Sequence, residues 1–171
     1  LGDVYKRQVL RSSFNSKKYM RMLSKKDIAW KYKDIERQVI QTFYVVQESW
    51  SNMNMEQAKQ YMSKDLYESY KGKLEWMEIG NKRNVLKRIR LINLKPVSIH
   101  DDENDDKDLV WFYINGSMVD YIIDTMTNKS IDGNRFFSKP FIEFWKFTRK
   151  GDKWVLSQIL QSNESDEINF Q

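Results

Sequence analysis

The segment from Phe141 to Gln161 constrains the fold more than any other part of the chain. Its sequence, FIEFWKFTRKGDKWVLSQILQ, contains two stretches that alternate with the period of two that is typical of β-strands. Strands are predicted at 141–149 and 154–161, joined by a tight turn at 150–153. Dense aromatic side chains on such a hairpin indicate a sheet that packs against a large apolar surface. One side of the first strand carries Phe141, Glu143, Trp145, Phe147 and Arg149.

The composition fits a single domain and excludes several kinds of site. Six Trp, nine Tyr and nine Phe in 171 residues can fill one proper core. The sequence has no Cys and a single His, His100, which excludes disulfides, iron–sulfur clusters, cysteine–zinc sites and multi-histidine metal sites. No apolar run approaches the roughly 20 residues that a membrane-spanning helix needs. We therefore expect neither a cofactor nor a metal.

The positive charge is concentrated at the N-terminus. The net charge is +5, and residues 1–26 carry eight basic residues against one acidic residue, so the remainder is close to neutral. We interpret residues 1–26 as a basic arm. Its positive charge is informative about binding partners rather than about the fold. Residues 1–8 resemble the in-frame translation of a sequencing adaptor, which predicts that the native N-terminus lies outside this sequence.

A helical period follows the arm. Apolar residues recur at spacings of three and four from Ile28 to Trp50 and predict a long amphipathic helix. Asn54 and Gln57 have the spacing of a capping box and predict the start of a second helix. A third predicted helix is capped by Ser63 and ends at Gly80-Asn81.

Beyond Arg83 the period is that of strands. A strand is predicted within 85–100, at an edge or a bulge because it contains Pro96, and a long strand at 109–124 has two apolar faces. Loops are expected at 101–108, which is acidic, and at 127–138, which is polar, and residues 162–171 are expected to be a frayed acidic tail. Helices followed by an antiparallel meander predict an α+β domain over 27–161, with three N-terminal helices on a twisted four-stranded antiparallel sheet.

The terminal hairpin pattern also resembles a known family, the Tim44-like domains. The pattern is F-x-E-x-W-x-F-x-R followed by W-x-L-x-x-I-x-Q, and the helix ending near Trp50, the Tyr67/Tyr70 helix and strand 111–118 extend the resemblance to about residues 28–161. It implies a cone-shaped α+β fold of the nuclear-transport-factor-two-like type. In that fold, helices cover the concave face of a curved sheet and often leave an apolar pocket.

The resemblance also implies a role at membranes. Family members tether chaperone motors or ribosomes to membranes and contact anionic lipid through N-terminal helices, and bacterial members often carry upstream membrane segments. The chain looks like a bacterial member, so we expect a non-enzymatic tethering domain at the cytoplasmic face of a membrane, peripheral or held by an upstream segment. Its expected partners are anionic lipid and an unknown protein. We do not extend the motor-tethering role of those members to this chain without a partner that supports it.

The basic arm supplies the candidate membrane contacts. Each cation would contribute about 1 kcal/mol near an anionic surface. Residues 9–26 fit a linker or a weak amphipathic helix. The sequence alone supports lipid contact and a solvated linker about equally, and the family resemblance favours lipid contact. Nucleic acid is not expected, because the arm lacks the aromatic interleaving of a recognisable module. The candidates are Lys17, Lys18, Arg21, Lys25 and Lys26.

A pocket within the cone is the alternative functional site. Glu143 would act there as an acid or base in a small-molecule binder or enzyme, with Asp120 as a weaker carboxyl candidate. We expect instead an ion pair between Glu143 and the basic segment 87–90, a depressed pKa and no second acid or base in reach. A Glu143 without a cation, with a raised pKa and facing a cavity beside Asp120 or a tyrosine, would put the enzyme first. The candidate lining residues are Trp76, Trp111, Glu143, Trp145 and Phe147, although aromatic stripes are usually core.

Two further features predict no site. The acidic loop 101–108 has Lys107 and Tyr113 where a calcium-binding loop needs Gly and Glu, so a solvated loop is expected. His100 has no nucleophile in a suitable setting and is expected to be an exposed structural residue. The apolar faces of strand 109–124 leave self-association as a third possibility.

Overall fold

The computed structural model describes residues 3–171, in which three α-helices precede a four-stranded antiparallel sheet. The predicted α+β class is therefore confirmed. Of the adaptor-like segment, residues 1–2 lie outside the described residues, and residues 3–8 belong to the first helix. The elements are α1 (Asp3–Ser24), α2 (Tyr32–Ser51), α3 (Lys64–Ile79), β1 (Lys82–His100), β2 (Leu109–Asp124), β3 (Ser130–Lys150) and β4 (Lys153–Gln161).

Helix α2 covers one face of the sheet, as its apolar period predicts. Ile35, Val39 and Phe43 recur at spacings of four and are completely buried. The ring centroid of Phe43 lies 5.4 Å from that of Trp145 on β3. Trp145 and Phe147 are both fully buried in the same apolar cluster, as expected for a strand packed beneath this helix.

The sheet has the order β1-β2-β3-β4, and β1 is an edge strand, as Pro96 predicts. Three register shifts interrupt the pairing of β1 with β2, and such bulges bend a strand and increase its twist. Gly116 in β2 lies under an aromatic ring, because a Cβ there would be 2.4 Å from Cζ of Phe141. A larger residue at this position would push the ring out of the core.

The hairpin between β2 and β3 is longer than predicted. Residues 127–138 were expected to form a polar loop, yet β3 begins at Ser130, and the connection is a turn in which Asp124 Oδ1 accepts from the backbone of Met126 at 2.8 Å. Every residue from 130 to 140 is exposed. Because neither face of this part of the strand is buried, it has no apolar alternation that the sequence could show.

Helix α1 and the C-terminal residues cover the second face of the sheet. Phe112 belongs to the cluster under α2, whereas its neighbour Trp111 belongs to a cluster on the opposite face. The C-terminus is not frayed, because Ser98 Oγ donates to the carbonyl of Asn169 at 2.6 Å and the Gln171 amide donates to the carbonyl of Val97 at 2.9 Å. The cluster comprises Val9, Val97, Trp111, Phe144, Leu160 and Ile168. The outer apolar face expected to be open for self-association is therefore covered here by the chain itself.

The predicted helices require three corrections. The helix expected from Ile28 begins only at Tyr32, because Ile28–Trp30 forms a separate 3-10 helix. The segment that begins at Asn54 forms only a short 3-10 helix, Glu56–Tyr61, whereas the basic arm forms a full α-helix of 22 residues. Ser63 caps α3 as predicted, accepting from the Leu66 amide at 3.2 Å.

Candidate functional site

A cavity of about 410 Å³ lies between α2, α3 and strands β2, β3 and β4. This volume is within the range of small-molecule pockets, roughly 300–1,000 Å³. Its aromatic walls are Trp50, Tyr70, Phe141 and Trp145, and its polar residues are Gln47, Lys73, Asp120, Glu143 and Gln161. The lining therefore combines apolar walls with a few polar groups, as ligand sites commonly do.

Glu143 lies in this cavity with neutral hydrogen-bond donors only. Its Oε1 accepts from Trp145 Nε1 at 3.3 Å, and its Oε2 accepts from Gln161 Nε2 at 2.9 Å. Burial raises the pKa of Glu143, the negative charge of Asp120 raises it further, and the two hydrogen bonds oppose that change. Among residues 5–171 no Lys, Arg or His lies within ion-pairing distance of this carboxylate.

The predicted ion pair and depressed pKa of Glu143 are therefore wrong. Glu143 on β3 pairs with Ile114 on β2 and with Gln161 on β4, whereas the basic segment 87–90 belongs to β1. Strand β2 separates β1 from β3, so that segment is two strands away. Sequence distance alone did not show this strand order.

The cavity also contains further groups that can exchange protons, contrary to our expectation. Asp120 lines it and accepts through Oδ1 from Asn84 Nδ2 at 2.6 Å. Burial, followed by the charge of Glu143, raises the pKa of Tyr70 to about 12. The ammonium of Lys73 lies 5.2 Å from the centroid of the Tyr70 ring. The cavity thus holds two carboxyl groups, a phenol and a lysine, without the ion pair that would keep Glu143 charged.

The other predicted lining residues lie elsewhere. Trp76 is 75% exposed on α3, and Trp111 lies on the opposite face of the sheet, where the ammonium of Lys146 is 5.6 Å from its ring. Phe147 is buried in the core and does not line the cavity. Sequence reasoning missed Trp50 and Tyr70 as walls, although both belong to the helices that the resemblance singles out.

The basic arm is a helix with one buried side. Ser12, Ser13, Ser16 and Met20 are buried with Val9, which fixes the rotation of α1 against the sheet. On the other side Lys18 and Arg21 are exposed, as are Lys25 and Lys26, which follow the end of α1 at Ser24. None of these four cations makes an ion pair within the part of the chain that is described. Lys17 differs from these four, because it is half-buried with its ammonium 5.1 Å from the Tyr32 ring centroid.

Apolar side chains share the exposed side of α1 with these cations. Leu10, Phe14 and Met22 are 56%, 70% and 56% exposed. A shallow groove is lined by Asn15, Lys18, Tyr19, Arg21, Met22, Lys25 and Gln171. A mixture of basic and apolar residues on one exposed helix side is typical of helices that lie in the interface of a membrane.

A buried arginine forms a centre that sequence reasoning missed. The guanidinium of Arg149 donates to Asp27 at 2.5 Å and to Asp108 at 3.2 Å, and lies 3.7 Å from Asp105. Asp108 is fully buried, so this end of the acidic loop is not solvated as expected. The hydrogen bond from Arg149 lowers the pKa of Asp27, whereas burial raises the pKa of Asp108 although it binds the same arginine. The two pKa values shift in opposite directions because Asp27 stays partly exposed to solvent whereas Asp108 does not.

The remaining features are His100, groups of possible metal ligands and the length and hydropathy of the helices. His100 is exposed, with Nε2 3.9 Å from Asp102. Over residues 5–171 no three His, Asp or Glu side chains are grouped so that they could hold a metal ion. None of the helices in the described segment has the length and apolar character needed to cross a bilayer.

Comparisons with known proteins identify relatives of this fold. The profile of the Tim44-like domain matches residues 16–161, and no curated protein matches the sequence significantly. Among solved structures, the crystal structure of the intermembrane space region of the chloroplast protein ARC6 is similar, with a TM-score of 0.52 and 10% sequence identity. The similarity covers 76% of this chain and 96% of the ARC6 chain, and at this identity it concerns the fold alone.

Proposed function

Because this chain belongs to the Tim44-like domain family, we propose that it is a non-enzymatic tethering domain at a membrane surface. Domains of this family are generally non-enzymatic and associate peripherally with membranes and proteins. Our proposal adds that the lipid is anionic, that α1 contacts it, and that the surface belongs to the cytoplasmic face of a bacterial membrane. A protein partner of unknown identity completes the tether.

The exposed side of α1 carries this proposal. Phe14 and Met22 are apolar and mostly solvent-accessible, and they lie among the exposed cations Lys18, Arg21 and Lys25. The apolar side chains can enter the headgroup region while each cation contributes about 1 kcal/mol near anionic lipid. Because the other side of α1 is buried against the sheet, the whole domain would dock in one orientation.

The test replaces four exposed cations, two near the C-terminal end of α1 and two directly after it. We expect a variant with Lys18, Arg21, Lys25 and Lys26 changed to Gln to lose co-sedimentation with anionic vesicles and to keep its melting temperature. The reason is that these side chains are exposed and make no ion pair in the described structure. Lys17 is left unchanged because it packs over Tyr32. Wild-type binding should weaken as salt is raised.

A matched control removes the same charge elsewhere. Lys64, Lys71, Lys150 and Lys153 are also exposed, and changing them to Gln should leave vesicle binding intact. Equal binding of the wild type to neutral and anionic vesicles would contradict the proposal. So would an equal loss of binding in the control variant, since it would show that net charge rather than α1 is responsible.

A second candidate function is a small-molecule binder or enzyme that uses the cavity. The observation that favours it is the setting of Glu143. Its carboxylate has no cation within ion-pairing distance among the described residues, its pKa is raised, and Asp120 and Tyr70 line the same cavity. We rank it second because the family is generally non-enzymatic. A small molecule that raises the melting temperature of the wild type but not of Glu143→Gln, and that is turned over, would place it first.

A further inference from the structure

A bulge on the β2–β3 hairpin presents two neighbouring phenylalanines to solvent. Phe136 is 69% and Phe137 is 72% exposed. The register explains their position, because Met118 pairs with Lys139 whereas Asp120 pairs with Asn134. One residue of β2 therefore lies opposite the four residues 135–138 of β3, which must leave the line of the strand.

Hydrogen bonds hold the shape of this bulge. Asn134 Oδ1 accepts from the backbone amides of Phe136 at 2.8 Å and Phe137 at 3.1 Å. Arg88 Nη2 donates to the carbonyl of Phe136 at 2.9 Å. Gly133, which precedes the bulge, has φ +80°, and a Cβ there would lie 2.4 Å from the carbonyl oxygen of Asp120. The two phenyl groups are thus held by a defined backbone, and both remain mostly exposed.

Basic residues outnumber acidic residues at this end of the sheet. The segments 82–90 and 118–140, which form this end of the sheet, contain eight basic and three acidic residues. Arg135 and Lys87 place their cationic groups 5.4 Å and 5.9 Å from the centroid of the Tyr121 ring. Lys139, just after the bulge, is exposed as well. We call this bulge with its two phenyl groups the tip. Asp120 and Asp132 line the cleft beside Phe137 together with Lys139, and the charge of this end of the sheet as a whole is positive.

We propose that the tip at Phe136 and Phe137 enters the headgroup region of an anionic membrane, as a contact separate from α1. The proposal rests on the membrane role proposed above. Phenylalanine is among the apolar residues that membrane-surface segments bury at the headgroup boundary, and the neighbouring cations are complementary to phosphate headgroups. The net positive charge of this end of the sheet favours an anionic lipid surface as the partner of the two phenyl groups.

The chain contains no Cys, so a single reporter can be attached beside the tip. Ser138→Cys, labelled with an environment-sensitive fluorophore, is mixed with vesicles of equal parts phosphatidylcholine and phosphatidylglycerol. We expect a blue shift and quenching by lipid-borne quenchers. Both signals should disappear in Phe136→Ala/Phe137→Ala, and the vesicle partition coefficient of the unlabelled double variant should fall by about tenfold or more.

A matched control removes exposed apolar area from α3. Trp76 and Ile79 are 75% and 73% exposed, and Trp76→Ala/Ile79→Ala should bind vesicles as the wild type does. Unchanged melting temperatures will show that both double variants fold. Wild-type affinity in Phe136→Ala/Phe137→Ala, or a reporter that vesicles leave unshifted, would overturn the inference.

The α1 variant separates this outcome from failure of the proposed function. If binding depends on the α1 cations but not on the two phenylalanines, the membrane role stands and the tip is no part of it. If the wild type binds no vesicles, both proposals fail. A reporter shifted by a protein partner and not by vesicles would also reject the lipid contact at the tip.

Discussion

Glu143 is a carboxyl group whose surroundings favour its neutral form. It lies among aromatic walls and accepts hydrogen bonds only from the indole of Trp145 and the amide of Gln161. Desolvation is the largest cause of its raised pKa. The folded protein therefore holds this proton more tightly than the unfolded chain does, so deprotonation of Glu143 opposes folding.

This linkage predicts the pH dependence of a Glu143→Gln variant. In the wild type, the contribution of Glu143 lowers the free energy of unfolding as the pH rises from its unfolded-state pKa through its raised folded-state pKa. Gln cannot lose a proton, so the variant should gain stability relative to the wild type over that window and show no such gain below it. Urea denaturation across a pH series measures the difference.

An exposed glutamate provides the control for that experiment. Glu78→Gln on α3 makes the same substitution at an exposed position and controls for the change of side chain itself. Parallel profiles for Glu143→Gln and the wild type would show that burial does not perturb Glu143. The second candidate function would then lose the observation that favours it.

Arg149 is the second residue whose surroundings lead to a prediction. Replacing it with Met leaves the fully buried Asp108 without its cation and frees Asp27 and Asp105. Breaking a buried pair in this way should cost about 3–5 kcal/mol of unfolding free energy. The neighbouring exposed Lys150→Met should change it by less than about 0.5 kcal/mol. Equal urea midpoints for the two variants would mean that the arginine centre does not stabilise the fold.

At the scale of elements, α2 and β3 form the contact that supports the cavity. Trp145 is completely buried beneath Phe43 of α2 and also lines the cavity. Trp145→Ala should therefore destabilise the domain by about 3–5 kcal/mol in urea denaturation. Trp76→Ala removes an indole that is 75% exposed and should have little effect. A loss below about 1 kcal/mol for Trp145→Ala would mean that the pairing of these two elements is looser than its burial indicates.

Helix α1 shows why one element was ambiguous in the sequence. Its buried side includes Ser12, Ser13 and Ser16, which are 2%, 5% and 0% exposed. Small polar residues let a helix lie close to a strand, but they do not register as an apolar stripe. The sequence therefore showed the exposed cations of α1 and concealed the side that docks onto the sheet.

At the scale of the whole molecule, the protection of the sheet is uneven. Strands β2 and β3 are covered on both faces around Phe112 and Phe144, whereas residues 130–140 are exposed throughout. Amides near Phe112 and Phe144 should therefore exchange hydrogen most slowly, and those in 130–140 much faster. Hydrogen exchange followed by mass spectrometry measures this gradient. Uniform protection along β3 would contradict it and would indicate that the hairpin tip is covered.

The sequence by itself determined the fold class, the family and most of the core. Alternation at 141–149 and the helical period at 28–50 both reflect burial on one side, and burial is what selects apolar residues at regular spacings. The cap at Ser63 and the edge position of Pro96 were also predictable, because each follows from local hydrogen bonding.

Tertiary structure alone decided the partners of individual side chains. Glu143 lacks a cation because β2 separates its strand from β1, and Arg149 meets Asp27 and Asp108 from distant parts of the chain. The display of Phe136 and Phe137 depends on a register offset between β2 and β3. Burial leaves a periodic pattern in the sequence, whereas strand order, register and long-range ion pairs depend on which segments meet in space, and no local pattern records that.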